Sequence, residues 1–347
     1  MTSRVGDIIL VLRRAADITQ EDLAEKLGIT QAALSRYEND LREPDDEMVG
    51  RLADALGVTP AFLRHEFRMQ GAIAADAHMR RQKTTKPSDW KRVEARLNRL
   101  RMHSSYLLER VPMRSQQHVI QVDPDDQSPA EAARMLRAAW RMPIGPVKAL
   151  TRWVEAAGIF VVEEDFGTHR IDGMSQWAGE HAVIILNASL PVDRKRLTVA
   201  HELGHLVLHT TYVDADVEDQ ANQFAAEFLM PEHVIEPELV NLTLGKLSDL
   251  KIEWGVSMQA IFERAYRLGR VTSDDRQRFY RQMNSRGWKT REPGSDLLAA
   301  ETPELAHSIG RTLDGSGLTD GEIRQLIGVG AQTETVFRGK TRTLRAV

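Results

Sequence analysis

The sequence predicts an α+β protein, mostly α, and three observations carry that expectation. Runs of helical spacing, separated by capping residues, Gly and Pro, recur along most of its 347 residues. Three short strand-like runs lie close together, at Ile159–Glu163, Gly173–Trp177 and Ala182–Leu186, enough for a small β-sheet. Directly after them Val199–His209 reads VAHELGHLVLH, a stretch that fits a helix and places two histidines four residues apart. The length suits two or three domains, each with its own core.

Taken in order, Val5–Arg14 reads as a helix, and ITQEDLAEKLGITQAALSRYENDLREP after it as helix, Gly turn, helix. Thr19 and Thr30 are placed to cap the two motif helices, and Leu23, Ala24, Leu27, Ile29, Leu34 and Tyr37 to form a small core. Glu47–Leu56 and VTPAFLRHE continue the bundle. Over residues 1–66 this pattern resembles the Xre-type five-helix DNA-binding domains. That resemblance implies a double-stranded DNA operator read in the major groove, with Gln31, Ala32 and Arg36 at base edges and Gln20, Thr30 and Asn39 at phosphates. Such domains often pair on two half-sites, which implies a homodimer. The unit itself holds 8 Lys/Arg against 13 Asp/Glu, a balance that opposes phosphate binding and suits a bundle used for partner contacts equally well.

Residues 67–128 read as a basic connector. Between Phe67 and Arg114 there are 12 Lys/Arg against 4 Asp/Glu. A linker is expected around Lys83–Ser88, then a helix over Asp89–Val111 capped by Ser88 or Asp89, with Trp90, Val93, Leu97, Leu100, Leu107 and Leu108 at near-helical spacing. Its cations read first as a solvated face and second as an auxiliary phosphate contact or a dock for an acidic partner.

From residue 129 the pattern changes. Pro129–Arg141 reads as a helix, PIGPVKALTRWVEAAG as another closed by Gly158, and then come the three strands. Residues 129–235 form the candidate catalytic domain. A helix opening near Asp193, its expected N-cap, would stack His201 and His205 on one face so that both imidazoles reach one ion, with Glu202 beside it as a base. HExxH on a helix is the zinc-peptidase signature: two imidazoles hold Zn²⁺, an open position keeps a water, and the Glu takes its proton. His209 stands roughly 12 Å along the axis from His201 at 1.5 Å per residue, too far for one ion to serve both.

A third protein ligand must be an acid, since the chain has no Cys. A second helical run, Glu218–Met230, ends at Pro231 and sets Glu218, Ala221, Asn222 and Ala225 on one face. The alanines allow close approach and Asn222 can orient a ligand. By spacing alone Asp214, Asp216, Asp219 and Glu227 remain alternatives. The paired stretches RLTVAHELGHLVLH and EDQANQFAAEFLMP resemble the ImmA/IrrE metallopeptidases, whose second motif has the form ExxANxFAAxLLMP. The resemblance implies a zincin-like fold, and it implies that Glu218 is the third ligand. A sheet edge beside the metal helix is expected to hold an extended substrate, with Ala182–Asn187 the guess for that edge. His169, His181 and Tyr212 are candidates for stabilising an oxyanion.

Residues 236–347 read as a helical C-terminal region: KLSDLKIEWGVSMQAIFERAYRLG is again helix, Gly turn, helix, and LTDGEIRQLIG a last short helix. No apolar N-terminal segment and no run of 18 apolar residues occurs, and cysteine is absent, so a cytoplasmic protein without disulfides or a membrane partner is expected. The resemblance implies selective cleavage of a repressor or antitoxin-like protein; the alternative is a DNA-binding regulator whose metal domain binds a ligand or partner without proteolysis.

Overall fold

A computed structural model describes residues 4–67, 86–209 and 216–338. The N-terminal bundle is α1 Val5–Ala15, α2 Gln20–Lys26, α3 Gln31–Glu38, α4 Asp46–Leu56 and α5 Pro60–Leu63. Thr19 Oγ1 accepts from the amide of Asp22, and Thr30 Oγ1 from that of Ala33, so each hydroxyl satisfies an amide that the first helical turn leaves open. Ile8, Leu12, Leu23, Leu34, Leu52 and Phe62 close the core. Beneath α3, the Glu38 carboxylate is buried; it accepts from Arg13 and, at 2.7 Å, from Gln20 Nε2. A buried carboxylate with two donors ties three helices into one orientation.

Helix α6, Pro87–Leu108, is where the expectation for the basic connector fails. It opens at Pro87 with no side-chain cap, so neither Ser88 nor Asp89 plays that part; of the linker expected over Lys83–Ser88, residues 83–85 lie outside the described residues and Pro87 and Ser88 are already helix. The helix is buried on two sides. Met102 and Tyr106 join the N-terminal core, whereas Trp90, Val93, Leu97 and Leu100 pack on the sheet. Its cations are spent internally: Arg92 donates to the Phe166 carbonyl at 3.0 Å, Arg96 to Asp165 O, and Arg99 to Glu164 at 3.3 Å. Arg101 is 3% exposed, and burial lowers its pKa to about 10. A helix buried on opposite faces is a spine between layers.

Then follow α7 Pro129–Ala139 and α8 Leu150–Ala156. The helix expected from Pro143 onward is therefore shorter, because Ala149 takes a left-handed conformation (φ 51°) and helical geometry begins only after it. Strands β1 Ile159–Glu164, β2 Gly173–Ala178 and β3 His181–Asn187 form one sheet in the order β1-β3-β2, with β1 parallel and β2 antiparallel to β3. β3 is thus the central strand. The guess that Ala182–Asn187 forms the substrate edge is overturned, since both of its sides are already hydrogen-bonded. Alternation along the strands sends Ile159, Val161 and Ile184 into one core and Phe160, Val162 and Ile185 into the other.

The first of those cores is closed by α9 Val192–Leu208 and α10 Val217–Leu229. After these come α11 Glu232–Ile235, α12 Leu244–Trp254, α13 Met258–Arg267, α14 Ser273–Ser285, α15 Leu305–Asp314 and α16 Asp320–Ile327. Asp193 does not cap α9: its side chain is 2% exposed and accepts from Lys251 Nζ and from Ser295 Oγ at 3.0 Å, while Glu292 binds the same ammonium at 3.0 Å. A fully buried ammonium needs such neighbours, and they pin the first turn of α9 to α12 and to the loop after α14. Arg196 one turn on pairs with Glu301. The chain then returns to the N-terminal bundle: after α16 the amide of Gly330 donates to Gly57 O at 2.9 Å, and the amide of Thr59 donates to Gly328 O at 3.1 Å. No helix among the described residues is long and apolar enough to cross a membrane.

Candidate functional site

Helices α9 and α10 face each other at Gly204, where an added Cβ would lie 3.1–3.2 Å from the Phe224 side chain. Ala221 and Ala225, both fully buried, continue that close seam along α10. Approach at this distance brings three side chains from two helices to one point. His201 Nε2 and His205 Nε2 are 3.0 Å apart, His205 Nε2 is 3.4 Å from Glu218 Oε1, and His201 Nε2 is 3.6 Å from Glu218 Oε2. Ligands at about 2.05 Å from a tetrahedral ion are separated by roughly 3.3 Å, so the triangle has the size a zinc site requires.

Hydrogen bonds behind the triangle fix where the protons are. Asn222 Oδ1 lies 3.1 Å from His201 Nδ1 and accepts from it, which turns Nε2 toward the meeting point. Gln220 Oε1 accepts from His209 Nε2 at 2.8 Å; His209 Nδ1 is then the acceptor for His205 Nδ1 at 2.9 Å, and His205 Nε2 also faces the meeting point. Burial pushes the His205 imidazole down to about 3 and lowers that of His209, which keeps both neutral. Two imidazole nitrogens and a carboxylate thus converge on one point, with the ring orientations held from behind. The donor set fits a divalent metal.

Glu202 is 3% exposed on the same helix, one residue beyond His201, and its Oε2 accepts from Ser175 Oγ at 2.8 Å. Ser175 stands on β2, whose Trp177 Nε1 also donates to Leu206 O at 3.2 Å, so the strand clamps one face of α9 along a full turn. The motif alone had not pointed to Ser175; the only sequence signal was its place in a strand-like run just upstream. His209, set aside as a ligand, is instead the residue that orients His205.

The other acids are engaged elsewhere. Glu227 is fully buried against Arg264 and Arg134, Asp219 binds Gln223 and Arg267, and Asp216 precedes α10 on the surface. Asp214 and Tyr212 lie outside the described residues. His169 bonds Ser189 Oγ at 3.1 Å in an exposed loop, and His181 packs on Gly158, so neither lines the metal triangle.

Since Gly204 sets the helix separation, Gly204→Val is expected to force α10 outward. Overpacking of this kind costs about 1–3 kcal/mol. Differential scanning calorimetry should show a lower melting temperature, and elemental analysis less than one bound ion per chain at limiting metal; a variant with wild-type values in both would mean that the seam does not set the triangle.

On the N-terminal bundle, Gln31, Ala32 and Arg36 share the exposed face of α3. Gln20 braces Gln31 weakly, at 3.4 Å, and Asn39 Nδ2 donates to Ser35 O at 2.7 Å. Thr30 is exposed with its oxygen engaged as the cap. Arg36 has no acidic partner among the described residues.

Comparison with known proteins agrees with this division. Residues 9–63 match the helix-turn-helix family model and residues 154–266 the model of the IrrE N-terminal-like domain. The radiation response metalloprotease IrrE of Deinococcus radiodurans is 37% identical over 70 residues, 16% of this chain and 21% of the relative. The match thus spans about a fifth of that protein. The chain thus carries a segment similar to helix-turn-helix domains and, after it, one similar to the IrrE N-terminal-like domain, in which the metal triangle lies.

Proposed function

We propose that this protein is a DNA-binding regulator carrying a zinc-dependent endopeptidase that cleaves one protein partner, a repressor or antitoxin-like chain. The observation that carries the reading is the convergence of His201, His205 and Glu218 on one point, with Glu202 adjacent. Zn²⁺ held by these three would supply Lewis acidity to a peptide carbonyl and acidify a water. Glu202 takes the proton from the attacking water and gives it to the departing amine nitrogen. Ser175 holds the Glu202 carboxylate on the side of β2, while Asn222 and the His209–Gln220 pair keep the imidazole rings from turning. β2 is an edge strand among the described residues, and it lies across α9; an extended peptide adding to that edge would run beside Glu202.

Selectivity rather than general digestion fits a site tethered to a DNA reader. Binding an operator raises the local concentration of whatever else sits there. The exposed face of α3 would read base edges, and two copies would occupy two half-sites. Arg36→Ala should relax preference at one base step by about 1–3 kcal/mol, measured by fluorescence anisotropy on single-base operator variants. Equal loss at all positions would instead make Arg36 a phosphate contact. The substrate is found by expressing wild type and Glu202→Gln in the same cells and comparing which protein is shortened; identical patterns would end the peptidase reading.

A further inference from the structure

Away from the metal triangle, three segments line an open cleft of about 580 Å³. They are the loop after α6, the helix α8 and the helix α15. Its apolar wall includes Val111, Met113, Leu305 and Ile309; Arg311 lines it, and so do two further guanidinium groups, Arg114 and Arg152. Neither arginine has an acidic partner among the described residues, and both are exposed.

The negative groups on the same wall are already committed. Glu155 is 8% exposed and accepts from the amides of Glu304 and Leu305 at 2.8–3.1 Å, capping the start of α15. Glu304 is paired with Arg311 at 3.2 Å. The charge left facing the cleft is therefore positive, next to a hydrocarbon surface. Nearly every other arginine of the neighbouring layers is tied down: Arg92, Arg96 and Arg99 by β1 and the loop after it, Arg196 by Glu301. Cavities of about 300–1,000 Å³ that are mainly apolar with a few convergent polar groups are the usual form of a small-molecule site.

We propose that this cleft binds a small amphipathic organic acid, its carboxylate or sulfonate held by Arg114 and Arg152 and its apolar body lying on Leu305 and Ile309. The walls suit the charge: guanidinium groups recognise planar anions by paired hydrogen bonds. They also give the ligand a mechanical effect. α15 leads through α16 to the segment hydrogen-bonded to Gly57 and Thr59, and the loop after α6 leaves the spine on which the N-terminal bundle rests. A molecule bridging the two would hold the bundle's two attachments together.

The test uses the full-length, zinc-loaded protein and two fluorescent probes of similar shape, 1-anilinonaphthalene-8-sulfonate and the uncharged N-phenyl-1-naphthylamine. Wild type should bind one sulfonate per chain saturably. Replacing both arginines by glutamine (Arg114→Gln with Arg152→Gln) should raise the Kd of the sulfonate at least tenfold and that of the neutral probe less than twofold; both positions are exposed and unpaired, so the fold does not depend on them. Ser308→Trp, which fills the cleft from α15, should remove both probes. An unchanged sulfonate Kd in the double variant, equal weakening of both probes, or binding that survives Ser308→Trp would each overturn the proposal. No readout involves cleavage, so the outcome is independent of the peptidase reading.

Discussion

Glu202→Gln should lose cleavage of the protein substrate by about 10²–10⁴-fold or more while keeping one bound ion per chain. Gln has the shape of Glu and can still accept from Ser175 Oγ, which lies 2.8 Å from Oε2, so β2 and α9 should keep their relation. What it cannot do is take a proton. A factor of 10²–10⁴ corresponds to roughly 2.7–5.5 kcal/mol of activation free energy, far above what a displaced surface side chain costs. Two measurements separate the possibilities: single-turnover cleavage reads the chemical step, and elemental analysis reads the metal. Loss of both would show that Glu202 supports the triangle itself, and retention of cleavage would remove it as the base. Ser175→Ala belongs beside it as a milder change. It leaves the carboxylate in place but frees its rotamer, so cleavage should fall less than in Glu202→Gln.

The local parts of this site were legible in the sequence because a helix turns residue spacing directly into geometry. His201 and His205 share a face whatever the rest of the fold does, and the small residues Gly204, Ala221 and Ala225 signal that two helices touch. The non-local parts were not. That Ser175 meets Glu202 depends on β2 being an edge of the sheet, and the chain order β1, β2, β3 does not reveal that β3 inserts between the other two. The same limit explains α6: alternating cations and apolar residues look like an amphipathic helix with a wet face, and only the tertiary structure shows a second layer on that face, where Met102 and Tyr106 pack under the N-terminal core. Asp193 also looks like a cap from sequence alone, because its partner Lys251 is 58 residues away.

Glu218→Ala should abolish stoichiometric zinc binding, and the size of the loss distinguishes a ligand from a supporting residue. Removing a group that only orients a ligand usually costs about 10–100-fold in metal affinity, which is the expectation for Gln220→Ala, two bonds behind His205. Removing one of three protein ligands should exceed that range in the same competition titration. Thermal stability gives an independent reading. A ligand present at 1,000 times its Kd adds about 4.1 kcal/mol to the folded state, so chelation should lower the wild-type melting temperature clearly and leave Glu218→Ala nearly unmoved. An equal fall in melting temperature on chelation in both proteins would mean that Glu218 is not a ligand.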